Sequence, residues 1–145
     1  MEVGVLGQLG IIASFGLSTI GAIVAMIING HAVIGAWKKC YLHKKPAPFI
    51  LVIFASTCLS NPIYGFITMT ALADSTVLNN IQLFAMGIVS GAAICLSAFI
   101  QAMCSAAAAE AYAETGQGFG NFLMVIGVAE TLGLFAMVFT LLFAG

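Results

Sequence analysis

Charge is what this 145-residue chain has least of: 6% of its residues are Asp, Glu, Lys or Arg, against about 25% in an ordinary soluble domain. Arginine is absent, and all four basic residues are lysines. So few charges cannot cover a water-facing surface, and the lack of a basic face excludes a nucleic-acid partner. Cys40, Cys58, Cys95 and Cys104 show no CxxC spacing, and three of them fall in apolar segments as small buried side chains. His31 and His43 are not paired at haem or metal spacing, and both read as interfacial. No nucleophile–base pair or cofactor motif appears, so a catalyst in its own right is not expected. What is abundant is apolar: 62% of the residues, with a mean hydropathy of +1.16. Such a chain belongs in a bilayer.

The nine charges divide the chain. Uncharged runs of 35, 28 and 35 residues separate Glu2 from Lys38, Lys45 from Asp74 and Asp74 from Glu110, and only Glu130 interrupts the stretch from Thr115 to Gly145. A spanning helix needs about 20 apolar residues. The pattern predicts an all-α integral membrane protein with four transmembrane helices near 6–35, 48–72, 81–110 and 121–143. The runs lack the alternation of a β-barrel strand, and helices satisfy their own backbone in hydrocarbon. The first run lacks a basic leader and is too long for a signal peptide. Lys38, Lys39, Lys44 and Lys45 share one loop, which is therefore cytoplasmic, with Trp37 and Tyr41 as interfacial anchors. Four spans then leave both termini and the 74–80 loop outside and the 110–120 loop inside.

The chain reads as two tandem hairpins, 1–74 and 75–145. At an offset of 73 residues, Phe49, Val52, Ile53, Leu59 and Phe66 match Phe122, Val125, Ile126, Leu132 and Phe139. Glu130 then falls opposite Thr57, so the first copy has lost a carboxyl that the second retains. The first and third helices carry small residues every fourth position: Gly10, Ser14, Ser18 and Ala22, and Ala93, Ser97, Gln101, Ser105 and Ala109. Such stripes let backbones approach closely, within the chain or along the inner wall of an oligomer.

Glu130 is the sharpest signal. It lies about ten residues into the last helix, where a charge costs from ~2.5 to well over 10 kcal/mol by different measures. No lysine or arginine stands in any helix to pair with it, so it is expected to hold a proton or a metal cation. Thr57, Ser60, Asn61 and Tyr64 share one face of the second helix, and Gln101 lies at similar depth on the third. Ser and Thr in membrane helices often bond only to their own backbone, whereas amides need several partners. Together they form an oxygen-rich shell suited to a hard cation. Pro62 supplies no N–H, so the carbonyl of Cys58 loses its helical partner and the turn around Thr57 and Cys58 is expected to loosen.

The doubled hairpin, the carboxyl in Val-Ala-Glu-Thr-Leu-Gly (128–133) and the Ile-Tyr-Gly-Phe segment (63–66) resemble the membrane-ring proteolipid of V-type ATPases in its bacterial sodium-carrying form. The resemblance covers nearly the whole chain. It implies a Na+ site with Glu130 as the essential carboxylate, Gln101 and Asn61 as amide ligands, Ser60 as the hydroxyl and Thr57 at the backbone-carbonyl position. Tyr64 matches the tyrosine that steadies the ionised glutamate. The sequence departs from that pattern in three places: Asn61 replaces a longer glutamine, Thr57 replaces a leucine, and the proline follows the hydroxyl instead of preceding it.

The same resemblance implies a homo-oligomeric ring in a bacterial plasma membrane, with the first and third helices inside. A stator subunit with an essential arginine would release the ion, and ATP hydrolysis in a separate headpiece would turn the ring. The loop 38–46 would meet a central-stalk subunit or the headgroups of membrane lipid. Three other readings are a rotor that carries H+ instead of Na+, a small four-helix ion-coupled transporter, and a non-transporting four-helix scaffold. Glu110 and Glu114, one turn apart, read as a solvated face.

Overall fold

The computed structural model describes residues 3–145, so Glu2 and the extreme N-terminus assigned to the outside lie beyond the described residues. The elements are α1 (Val5–Leu42), α2 (Leu51–Ser56), a 3-10 turn (Thr57–Leu59), α3 (Ser60–Asp74), α4 (Asn80–Thr115) and α5 (Phe119–Ala144). With α2, the turn and α3 forming one continuous span, four helices among the described residues are long and apolar enough to cross a membrane. The all-α, four-span architecture expected from the charge spacing is observed.

Two helices run well past their expected ends. α1 continues through the first lysine pair to Leu42 because no breaker intervenes before Lys44, whose φ of 53° turns the chain. α4 continues past Glu110 and Glu114 and stops at Gly116, which takes the left-handed conformation at φ 67°. Gly118, at φ 85°, follows it, and these two glycines make the tight connection to α5. At the opposite end, Asn79 caps α4 through a reciprocal pair with Gln82. The 110–120 loop expected from the sequence therefore shrinks to residues 116–118, whereas the 74–80 connection lies where expected, between the end of α3 at Asp74 and the start of α4 at Asn80.

α1 and α4 run parallel in the most extensive helix contact of the fold. Gly4 N–H donates to Asn80 Oδ1 at 2.9 Å at one end, and Lys39 reaches Glu114 and Glu110 at 3.4 and 3.9 Å at the other. Between these ends the backbones touch. A Cβ on Gly87 would strike the carbonyl of Gly10, and one on Gly21 would stand 2.7 Å from Cys95 Cα. Gly10 and Ser14 stand in this seam and Ser18 packs against Gly65 of α3; with Ala22 all four are buried, so the first small-residue stripe serves close packing inside the chain. Ser97, Gln101 and Ser105 on α4 instead face the second span and α5.

The second span packs on α1, and α5 packs on α4 and α3. Near the lysine-bearing end, Phe54, Tyr112 and Phe119 form a cluster with ring centroids 5.6–6.3 Å apart, over Val33, Ala36 and Ile126. This plug ties the second span, α4 and α5 together, about three turns along α4 and α5 from Gln101 and Glu130. Large apolar side chains such as Ile20, Ile27, Leu96, Val128 and Phe139 point outward, as a lipid- or partner-facing surface requires.

Gly87→Leu is expected to cost about 3 kcal/mol or more, the upper end for overpacking, because the obstacle is backbone that cannot swing aside. Thermal unfolding in detergent checks this. Gly127→Leu, at a position open to its surroundings, should leave the midpoint within a degree or two.

Candidate ion-binding site

The site begins with a break in a helix. Pro62 has no N–H to offer the carbonyl of Cys58, and the second span tightens into a 3-10 turn over Thr57–Leu59. The side chain of Asn61 fills the gap: its Nδ2 donates to Cys58 O at 3.3 Å and to Gln101 Oε1 at 2.9 Å. The carbonyl of Phe54, at the end of α2, accepts from the hydroxyls of Ser105 at 2.6 Å and Thr57 at 3.2 Å. Irregular backbone at membrane depth is thus held by side chains, the condition under which it is tolerated. The helix departs from regular α geometry around Thr57 and Cys58 as expected, but by tightening into a 3-10 turn and not by loosening.

Asn61 and Gln101 are fully buried and join α3 to α4. One turn beyond Asn61, the phenol of Tyr64 donates to Glu130 Oε1 at 2.9 Å. Glu130 is half-buried, eleven residues into the 26-residue α5, which places it about 17 Å along that helix. Its rotation is fixed by Ser97. That hydroxyl donates to Ala129 O at 2.8 Å and accepts from Gly133 N at 3.1 Å, so it bridges both ends of the helical step that contains Glu130. Gly133 makes the approach possible. A Cβ there would stand 2.9 Å from Ser97 Oγ and 3.2 Å from Asn61 Oδ1.

The sequence-derived set is therefore brought to one region by three elements: Ser60, Asn61 and Tyr64 on α3, Gln101 on α4 and Glu130 on α5. Thr57 differs in detail. Its hydroxyl accepts from Asn29 Nδ2 at 3.2 Å and is turned toward α1. Sequence reasoning missed Asn29, fully buried on α1, and saw Ser97 only as one small residue in a stripe. A polar amide amid the buried apolar positions Ala25, Val33 and Ala36 was the available signal for Asn29.

Three buried polar atoms of this cluster have no hydrogen-bond partner: Ser60 Oγ, Asn61 Oδ1 and Gln101 Nε2. Leaving such groups unmatched costs about 1–3 kcal/mol each, so their concentration beside the one mid-helix carboxyl marks a place built for something they contact. Two of the three are oxygens, and with the Glu130 carboxylate they form a hard-oxygen donor set suited to an alkali or proton-type cargo. Among the described residues no group of three or more His, Cys, Asp or Glu is gathered at any point. Away from this cluster, Lys39, Glu110 and Glu114 form exposed pairs at the helix ends, in keeping with a solvated face.

Residues 84–143 match the family model for the ATP synthase C subunit. The match takes in α5 and all but the first turn of α4, and so includes Ser97, Gln101 and Glu130. No curated protein matches the chain.

Asn61→Leu and Gln101→Leu should each destabilise the protein by about 1–3 kcal/mol through the stranded partner. The double substitution should cost less than their sum by at least about 0.5 kcal/mol. Thermal unfolding of the three variants in detergent reads the coupling; strict additivity would mean that the two amides do not act as a pair.

Proposed function

From the match of the α4–α5 hairpin to the C-subunit family of ATP synthases, we propose that the chain is an ion-carrying rotor-ring subunit of a rotary ATPase of the V type, and that its cargo is Na+. The observation that carries the choice of ion is the donor set. Ser60 Oγ and Asn61 Oδ1 are buried oxygens without a hydrogen-bond partner, which a proton on Glu130 alone does not use, and Gln101 Oε1 accepts one bond, from Asn61, with a lone pair to spare. A proton needs one carboxyl oxygen; a sodium ion needs several oxygens from different elements.

In this reading Na+ sits between Glu130, Ser60, Asn61, Gln101 and the carbonyl of Thr57, and Tyr64 holds the free carboxylate oxygen through its 2.9 Å bond. The occupied site is electrically neutral and can pass through lipid, which a bare carboxylate cannot do cheaply. Release follows when a stator arginine approaches Glu130 and competes with the ion. Each ion moved against the membrane potential requires about 2.3 kcal/mol per 100 mV, supplied by ATP hydrolysis in the headpiece.

The doubled hairpin, 1–74 and 75–145, makes one carboxyl serve four helices. The parallel, level packing of α1 and α4 supports that division, since Gly10 meets Leu83 and Cys40 points its thiol toward the carbonyl of Ala113, both pairs 73 residues apart. The lysine-bearing loop faces the cytoplasm and the central stalk, and both termini lie outside. Many copies close into a ring with α1 and α4 on its inner side.

Glu130→Gln is expected to abolish ATP-driven 22Na+ uptake into vesicles holding the intact complex, while the ring still assembles. Ser60→Ala should raise the half-saturating Na+ concentration with little change in maximal rate. Uptake of protons at an unchanged rate in the absence of Na+ would assign the rotor to H+ instead.

A further inference from the structure

Asn29 belongs to none of the residues that surround Glu130, yet it is fully buried, and its surroundings do not explain it. Its neighbours on the same face of α1, Ala25 and Val33, are apolar and buried, and the adjoining core at this level consists of Ala25, Cys58, Ala98 and Ala102. Leu or Met would fill such a place without burying an amide. The amide makes one side-chain bond, from Nδ2 to Thr57 Oγ1, and its Oδ1 has no partner. A buried amide half-satisfied in this way is retained at a cost to stability, and it lies against the distorted turn, at the hydroxyl of Thr57 and beside the thiol of Cys58.

That hydroxyl has a defined task. Thr57 donates to Phe54 O, the carbonyl that the 3-10 turn leaves outside the regular ladder and that Ser105 also holds. A hydroxyl that accepts from Asn29 has its proton directed away from α1 and onto that carbonyl. The turn is consequently clamped from α1 by Asn29, from within by Thr57 and from α4 by Ser105. Cys58 O, Ser60 and Asn61 follow directly in the chain, so a shift in the turn displaces those groups together.

We propose that Asn29 is a positioning residue for ion affinity: through Thr57 it fixes the 3-10 turn and thereby the placement of Ser60 and Asn61 opposite Glu130. The inference rests on the sodium-site reading and gives α1, which contributes no ligand, a part in setting the affinity. Outer groups that orient ligands typically change metal affinity by about 10–100-fold when removed.

The test uses the purified complex, with ATP hydrolysis followed as Na+ is titrated. Asn29→Leu should raise the half-saturating Na+ concentration about tenfold and leave the maximal rate near that of the unmodified complex. In a Thr57→Val background the same substitution should add nothing further, because Asn29 acts through that hydroxyl. Asn29→Ser, which keeps a small donor, should fall between the two and serves if the leucine variant does not assemble. A purely structural residue would lower the melting temperature and leave half-saturation unmoved; that result, with Na+ dependence intact in the unmodified complex, overturns the proposal alone. Equal effects of Asn29→Leu with and without the Thr57 hydroxyl overturn it as well. Hydrolysis indifferent to Na+ in the unmodified complex overturns both this proposal and the sodium reading beneath it.

Discussion

The structure is organised around one carboxyl that cannot be left bare. Glu130 stands near the middle of a 26-residue apolar helix, in a chain whose basic residues all lie in one loop far from it. Its tolerance in hydrocarbon depends on neighbours that can share a proton or a cation with it. Tyr64 bonds one of its oxygens, Ser97 fixes the helix on which it rides, and the Asn61–Gln101 pair stands behind with unused polar atoms. Each of these contacts needs α3, α4 and α5 to approach closely. That approach depends in turn on glycine at position 133 and on the backbone-to-backbone seam of α1 and α4.

A second constraint couples local backbone to the same site. Pro62 breaks the ladder at Cys58, and the side chains recruited to repair the break are those that surround the carboxyl. Asn61 both caps Cys58 O and reaches Gln101; Thr57 and Ser105 both hold Phe54 O. The polar groups of the second span are therefore not free rotors. Their positions are set by a turn pinned from two other helices, which is what preorganised binding of a small cation requires.

Much of the architecture is legible in the sequence. Charge spacing alone separates the four spans, because a lysine or aspartate is too costly at mid-bilayer to be scattered at random. Glu130, Tyr64, Asn61 and Gln101 stand out for the same reason, as polar groups with no place in lipid. The helix ends are not legible: α1 and α4 run on into water, where helix continues until a turn residue stops it, and hydropathy carries no information about that. The hydroxyl direction of Thr57, the clamp by Ser97 and the role of Asn29 depend on which helix faces which. A Ser or Thr in an apolar run looks the same whether it bonds its own backbone, as Ser14 and Ser18 do, or another helix, as Ser97 and Ser105 do.

The central claim is that Glu130 holds Na+ with the help of the groups around it. Carbodiimides attack a protonated carboxyl in an apolar site, and a bound cation blocks them. The direct measurement is carbodiimide labelling of the purified complex at fixed pH while Na+ is titrated, with the adduct located by mass spectrometry. The account predicts an adduct on Glu130 that disappears saturably with Na+ and persists in K+. Labelling of Glu130 that is indifferent to Na+, or no labelling of Glu130 under any condition, would contradict it.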